Sequence, residues 1–599
     1  MHTVLNDLLR VGPGNPILLR VVTAGGRRFR HALTRWIYLA LLIGVLLIAL
    51  LSVFAAEKSL SDLAKASTKV FAYISIVQLG MICLLAPIFT AGAITQERDS
   101  QTYNILLATP LTNAQIVMGM FLSRMYYVVA LLLSGVPVFA ITLFYGGVTG
   151  LNIALSFAIA LTTGLVMGSI AISMAVFRLG TGKTVFWFYV FNAVFLVGLY
   201  LLDNQISTGG TTWLTGIHPF LALHAVVNPS TYPTPDLAYP AEWWRVPLWW
   251  YRVYPAYAYV TITLALSLFM VGPSALVLRR VAQRGDVGWG QYLRQLIFPK
   301  WTSKTRRVRH VWANPVAWRE AQTRAGASAR GITRWLTIVL GVALAVTLLY
   351  YYHTGHMTVE QMRQWLVALV IMEFSVALLV ATNSSASAVT RERESRTLDL
   401  LLVTPITSHY YIWGKLRGLV SFMLPFAMVP TITVILVVLA DILLGRMWGG
   451  SSIPPVLYPE VILELPIFLT VLIAWACMLG LQLSLKWSRT IVAVMVSVGV
   501  LAGLSGVLGA CGVAATQFTV VGLVFSSLSP FTGLCVLLDP QHFAANSFDL
   551  SSNGVEPWIC RIVMFISYLL SSAGYCVVVW AMYRSMVKNF DMVIRRQHQ

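Results

Sequence analysis

The chain is predicted to be an all-α membrane protein, with about twelve transmembrane helices in two parallel six-helix repeats. Two features of composition carry the first part of that statement. The 599 residues are 58% apolar and only 11% charged, whereas a soluble chain of this length would divide into domains with charged surfaces. Apolar runs of about twenty residues recur along the whole length, and about twenty residues cross a bilayer as a helix. Backbone in lipid must be satisfied by closed helices or barrels. These runs are long and rich in Leu, Val and Ala, unlike the ten-residue alternation of a barrel strand. The third feature, an internal repeat, makes the two halves alike.

In order, the spans are read at about 34–56, 70–94, 116–145, 151–177, 185–202 and 254–278, then 335–353, 365–389, 416–443, 460–485, 490–514 and 562–583. The formal charge of +20 could suggest nucleic acid, but the basic residues sit on alternate connections between apolar runs. That is the positive-inside pattern. With the N-terminus inside, about 34 of the 42 Lys and Arg residues are assigned to cytoplasmic segments, against about 8 outside. Both termini are therefore expected in the cytoplasm and the chain in the cell (plasma or inner) membrane. The first apolar run follows Arg20, Arg27, Arg28, Arg30 and Arg35 and lacks a small-residue cleavage site, so it reads as a span and not a signal peptide. Three regions result: a first six-span half (1–278), a basic cytoplasmic linker (279–313) and a second six-span half (314–599). The basic residues from Arg279 to Arg334, among them Lys304, Arg306, Arg307 and Arg309, suit orientation and lipid headgroups. The cysteines show no CxxC spacing. Cys83, Cys477, Cys511 and Cys576 read as packing residues, and pairing of Cys535 with Cys560 in an outer segment stays open.

The repeat is explicit. At an offset of 295, Thr95-Gln96-Glu97-Arg98-Asp99-Ser100-Gln101-Thr102 aligns with Thr390-Arg391-Glu392-Arg393-Glu394-Ser395-Arg396-Thr397. Without a gap, Leu106-Leu107-Ala108-Thr109-Pro110-Leu111-Thr112 then meets Leu401-Leu402-Val403-Thr404-Pro405-Ile406-Thr407, and Gly119 falls on Gly414. Collinear matches flank it: Asn15-Pro16 with Asn314-Pro315, Thr34-Arg35-Trp36 with Thr333-Arg334-Trp335, and His218-Pro219-Phe220 with Ser529-Pro530-Phe531. An even number of spans per half keeps both copies in one orientation, as in parallel repeats. The acidic-Arg-acidic cluster lies where hydrocarbon ends, so its charges are expected to stay solvated, with Glu392 and Arg396 spaced for a surface pair. Thr-Pro ends the short apolar stretch that follows, because the residue before proline avoids αR. Thr112 and Thr407 are placed as N-caps of the next span, and Thr112 with Gln115 has capping-box spacing.

The pattern Glu-Arg-(Asp/Glu)-x-x-Thr-x-x-x-Leu-Leu-x-Thr-Pro-(Leu/Ile)-Thr followed by Gly resembles the first cytoplasmic loop of ABC type-2 permeases, a family that includes the multicopper-enzyme-maturation-like group. The Asn-Pro starts resemble that family's elbow helix, and the Pro-Phe segments its outer stretch between the fifth and sixth spans. The resemblance implies that each loop carries a coupling helix for a separate ATP-binding subunit, two in all. The implied contacts are Glu97, Arg98, Leu107, Thr109 and Pro110, with Glu392, Arg393, Leu402, Thr404 and Pro405. It implies further that ATP and Mg act on the partner, that this chain holds no cofactor and is not itself an enzyme, and that export is the family tendency. Two departures stand out: Arg319-Glu320 in the second elbow is Arg20-Val21 in the first, and Gly414-Lys415 is Gly119-Met120. Either unequal contacts with the two ATPases or two different ATPases would follow.

Other candidates are weaker. Gly180-Thr181-Gly182-Lys183-Thr184 imitates the end of a P-loop, but Phe177 stands where the first glycine belongs and the stretch links two apolar runs. Gln78 and Glu373 align at the same offset inside the second span of each half, so they either hydrogen-bond between helices or line a substrate path. Asp441 lies nearer a span end. Trp213, Trp243, Trp244, Trp249 and Trp250 suit the interfacial belt. No metal-ligand cluster or catalytic set is visible, and His353 and His356 read as solvated loop residues. A secondary transporter with parallel six-span halves is the first alternative, but the loop lacks that family's Asp-Arg-x-Gly-Arg-Arg signature. A non-transporting membrane scaffold or lipid-modifying enzyme is the second, and it needs no matched docking helices.

Overall fold

The structure is a computed structural model. It describes residues 12–599 apart from 26–28, 55–59, 100–107, 177–191, 193–194, 204–209, 230–231, 236–238, 284–310, 395–396, 399–405, 444–454, 488–489, 516–519, 544–556 and the single positions 13, 145, 197, 201, 241, 327 and 599. Every regular element among the described residues is helical. The chain divides into two compact units, Met1–Thr305 and Arg306–Gln599, the division falling inside the basic segment between the repeats.

The first unit begins with a short amphipathic helix, α1 (Pro16–Gly25), whose proline stands at the first helical position. It continues with α2 (Phe29–Phe54), α3 (Leu60–Asp99), α4 (Asn113–Phe144), α5 (Gly150–Val176), the short α6 (Pro219–Val227), α7 (Val246–Val253) and α8 (Pro255–Gln283). Helix α1 lies on α4, α3 packs on α4 and α5, and α5 packs on α8. Lipid gives no hydrophobic drive for helices to associate, so close packing and interhelical hydrogen bonds must hold them. The hydroxyl pairs Ser75–Ser156 (3.3 Å), Thr163–Tyr259 (2.8 Å) and Ser173–Ser274 (2.9 Å) join α3, α5 and α8 in this way.

The second unit repeats the plan: α9 (Pro315–Gly326), α10 (Ser328–His353), α11 (Val359–Ala386), the one-turn α12 (Thr390–Glu394), α13 (Ser408–Leu443), α14 (Val461–Lys486), α15 (Thr490–Ala515), α16 (Val520–Ser527), α17 (Pro530–Leu538), α18 (Pro540–Phe543) and α19 (Pro557–His598). Its short first helix α9 lies on α13, α11 packs on α13 and α14, and α14 packs on α19. Even the small helices match. In α6 the His218 ring accepts the N–H of Leu221, and in α17 the Ser529 hydroxyl accepts that of Thr532.

Among the described residues nine helices are long and apolar enough to cross a membrane, and two shorter apolar helices, Thr34–Leu47 and Ile338–His353, stand at the first and seventh expected spans. The fifth, 185–202, lies largely outside the described residues. Asp441 is buried at the end of α13, where its Oδ2 accepts the N–H of Val456 at 2.7 Å. Cys535 and Cys560 are not disulfide-bonded. Of the outer tryptophans, Trp243 and Trp244 are exposed, while Trp213 stacks on Tyr251 at 6.1 Å with the Arg252 guanidinium over its ring.

Candidate functional site

The repeated Glu-Arg motif ends α3 in the first unit and forms α12, between α11 and α13, in the second, and each elbow helix is anchored to the start of the long helix that follows. In the first unit the reciprocal capping box forms: Thr112 N–H donates to Gln115 Oε1 at 3.0 Å, and Gln115 N–H donates to Thr112 Oγ1 at 3.2 Å. Thr407 caps α13 by accepting the N–H of Tyr410 at 3.3 Å. A single asparagine then fastens each elbow. Asn15 donates to the carbonyl of Gln115 at 2.8 Å while its Oδ1 accepts the N–H of Ile17. Asn314 donates to the carbonyl of Tyr410 at 3.3 Å while its Oδ1 accepts the N–H of Ala317. Glycine is needed opposite: a Cβ on Gly119 would lie 2.3 Å from Asn15 Oδ1, and one on Gly414 2.7 Å from Asn314 Oδ1.

The second unit adds charge to this joint. Lys415, on the first turns of α13 and 1% exposed, reaches back to the elbow and to α12 at once. Its Nζ donates to Glu320 Oε2 at 2.6 Å, to Glu392 Oε1 at 2.7 Å and to the carbonyl of Ala388 at 3.3 Å. Arg319 also pairs with Glu392 Oε1, and Tyr411 donates to Glu392 Oε2 at 2.6 Å. Two carboxylates thus meet two cations, which removes the cost of leaving a buried charge uncompensated. Tyr411 in turn packs at a tilt against Phe590 of the last helix, with ring centroids 5.6 Å apart.

The rest of the short helix α12 faces the other way. Arg393 donates to the carbonyls of Trp487 (3.1 Å) and Leu485 (3.3 Å) at the end of α14. Glu394 accepts the N–H of Thr490 at 2.8 Å, and the hydroxyls of Thr390 and Thr490 meet at 2.9 Å. Ser484 accepts the N–H groups of Val389 and Thr390. One turn of helix therefore ties together α9, α11, α13, α14 and α15.

This placement corrects one expectation. Glu392 does not stay solvated as a partner for Arg396, because Lys415 and Tyr411 hold it inside the joint; Arg396 lies outside the described residues. Arg393 is likewise turned onto α14. Thr109 is half-buried and Pro110 exposed at the turn before α4. Glu97 and Arg98 occupy the last turn of α3, but their side chains, together with Leu107, Leu402, Thr404 and Pro405, lie outside what the structure describes. The residues that sequence reasoning missed are Glu320, Lys415, Tyr411 and Ser484. A signal did exist for two of them, since Glu320 and Lys415 depart from the repeat together and in the same half.

Of the polar pair inside the second spans, Gln78 is buried and Glu373 is half-buried. Gln78 is fully buried on α3 beside Tyr38 of α2. The Glu373 carboxylate accepts from the Thr433 hydroxyl at 3.2–3.3 Å, and Gly341 lets α10 approach it: a Cβ there would lie 2.9 Å from Oε1. Among the described residues no group of three or more His, Cys, Asp or Glu could hold a metal.

Residues 27–284 match the family model described as ABC-2 family transporter protein. No curated protein and no solved structure matches the chain.

Proposed function

We infer, from the match of residues 27–284 to the ABC-2 family transporter protein model, that the chain is the permease subunit of an exporter driven by two separate ATP-binding subunits. The observation that supports the reading is the repeated joint. In each unit an asparagine anchors the elbow to the capped start of the helix that follows the motif, and in the second unit the motif itself is tied into that joint. The Leu-Leu-x-Thr-Pro stretch follows that motif in sequence. An ATPase bound to this stretch would act on helices joined by hydrogen bonds and ion pairs, and those helices would be displaced together.

Under this reading ATP and Mg belong to the partner, and this chain contributes no hydrolytic residues. The ATPases bind from the cytoplasm, on the side that holds both termini, and the protein works in the cell membrane. Glu97, Arg98, Leu107, Thr109, Pro110, Leu402, Thr404 and Pro405 form the docking surface, while Glu392 and Arg393 hold that surface to the spans. ATP closure drives transport only if the partner binds two arrangements of the joints with different free energy. Glu373, with a carboxylate held among α10, α11 and α13, is a packing group in this scheme.

The test is co-purification. The full chain is co-expressed with an ATP-binding subunit encoded beside it, and Thr109→Asp and Thr404→Asp are introduced together. Loss of the complex with a permease that still elutes as a folded species is expected. Undiminished binding by the double variant would sink the docking assignment.

A further inference from the structure

At the end of the first unit opposite the Glu-Arg motif, a cavity of about 320 Å³ opens between α3, residues 196–200 and α6. That is within the size range of small-molecule sites. Ala72 and Ile76 of α3, Leu196, and Leu223 and Val227 of α6 form its apolar walls. Its mouth lies at Ile76, 44% exposed, and Tyr200, 51% exposed. Ile76 belongs to Ser67–Pro87, a stretch long and apolar enough to cross a membrane, so the mouth lies beside a candidate membrane span.

No lining residue is Asp, Glu, Lys or Arg. His218 is held uncharged by geometry as well as by burial. Its Nδ1 accepts the Leu221 N–H at 3.3 Å, so the remaining proton sits on Nε2 and is donated to the Leu196 carbonyl at 2.9 Å. Burial of the ring pushes its pKa down to about 4, against the opposing effect of the hydrogen bond to the Leu196 carbonyl. The imidazole therefore serves as a flat aromatic wall beside Tyr200 (6.3 Å) and Phe220 (6.0 Å). His224 differs. Its ring packs edge-on against Tyr232 at 5.0 Å, and its nitrogens make no hydrogen bond among the described residues. The matching helix α17 carries Cys535 where α6 carries His224, and Ser529 where it carries His218, so the aromatic walls belong to the first unit alone.

We propose that this cavity is a lateral binding site for the uncharged apolar group, acyl chain or aromatic ring, of an amphipathic molecule entering from the bilayer, with His224 hydrogen-bonding its polar end. No charged residue lines the cavity, which suits an uncharged group, and a mouth beside a candidate membrane span suits entry from the bilayer. The site needs no ATPase and stands independently of the permease reading.

The experiment uses the full chain in phosphatidylcholine nanodiscs with two photoprobes in separate arms. One is a phosphatidylcholine carrying a diazirine at the end of one acyl chain; the other is benzophenone, a neutral aromatic ketone with one acceptor oxygen. Labelled peptides are located by mass spectrometry. Labelling of the segments containing 72–76, 196–200 and 218–228 is expected. It should fall roughly tenfold in Leu223→Trp and in Ala72→Trp, each of which fills the cavity, with labelling elsewhere unchanged. Labelling by the lipid probe alone identifies the bilayer as the source of the occupant. Benzophenone labelling that falls about threefold in His224→Ala identifies a lipid-soluble amphiphile. If neither tryptophan variant elutes as the wild type does, saturation decides: labelling of these segments competed about tenfold by excess unlabelled probe supports the site. Labelling that misses the segments, persists in folded tryptophan variants or does not saturate overturns it.

Discussion

Replacing Lys415 by methionine puts into the second unit the residue found at the matching position of the first, Met120. The change removes the cation between Glu320 Oε2 (2.6 Å) and Glu392 Oε1 (2.7 Å) while leaving both carboxylates nearly enclosed. Breaking a buried ion pair on one side costs about 3–5 kcal/mol. Arg319 and Tyr411 still hold Glu392 here, so the lower end, about 3 kcal/mol, is expected. At ~2.1 cal/mol/K per residue, unfolding of the unit Arg306–Gln599 corresponds to a fall in Tm of roughly 5 °C. Adding Glu320→Val, which copies Val21, removes the stranded carboxylate. Because an apolar replacement of a buried pair is often neutral or better, the double variant should recover most of the loss. The assay is thermal unfolding of the detergent-solubilised chain followed by size-exclusion fluorescence, with both single variants and the double forming a cycle. A Lys415→Met protein that melts with the wild type, or a double variant no better than the worse single one, would refute the clamp.

Three further outcomes are expected. His218 titrates near 6.5 when unfolded and at about 4 when folded, so between those values the unfolded chain holds more protons. Stability should therefore fall by up to about 3 kcal/mol as pH drops through that window, and His218→Ser, which keeps a cap like that of Ser529, should flatten the slope of Tm against pH; an unchanged slope refutes it. Gly414→Ala would push a Cβ onto Asn314 Oδ1, so the second elbow should loosen by about 1–3 kcal/mol and be cut sooner in limited proteolysis; unaltered cleavage counts against it. Glu373→Gln keeps an acceptor for Thr433 and should melt within about 1 kcal/mol of the wild type, whereas Glu373→Ala should lose about 1–2 kcal/mol; equal losses would remove the packing role.

The helical membrane class and nine of the expected spans among the described residues were legible because apolar length is a one-dimensional signal. The capping box of Thr112 and Gln115 was legible for the same reason, since its partners are three residues apart. The clamp was not, because Glu320, Glu392 and Lys415 are far apart in the chain and meet only through helix packing. Treating Arg319-Glu320 and Gly414-Lys415 as two separate departures hid the fact that each needs the other. Local spacing also misdirected the reading of Glu392: an arginine four residues on looked like its partner, while tertiary packing supplied Lys415. The cavity beside α6 left no periodic trace at all, being assembled from three separate segments.

The confinement of Glu320 and Lys415 to one half bears on why such repeats are carried on a single chain. In an assembly of two identical subunits, any new residue arises twice, so a lysine at this point without its acid would damage both copies together. Fusion lifts that constraint. One joint can acquire a buried electrostatic latch, little screened by salt, while the other keeps Met120 in the corresponding place, so the two joints need not be equally firm.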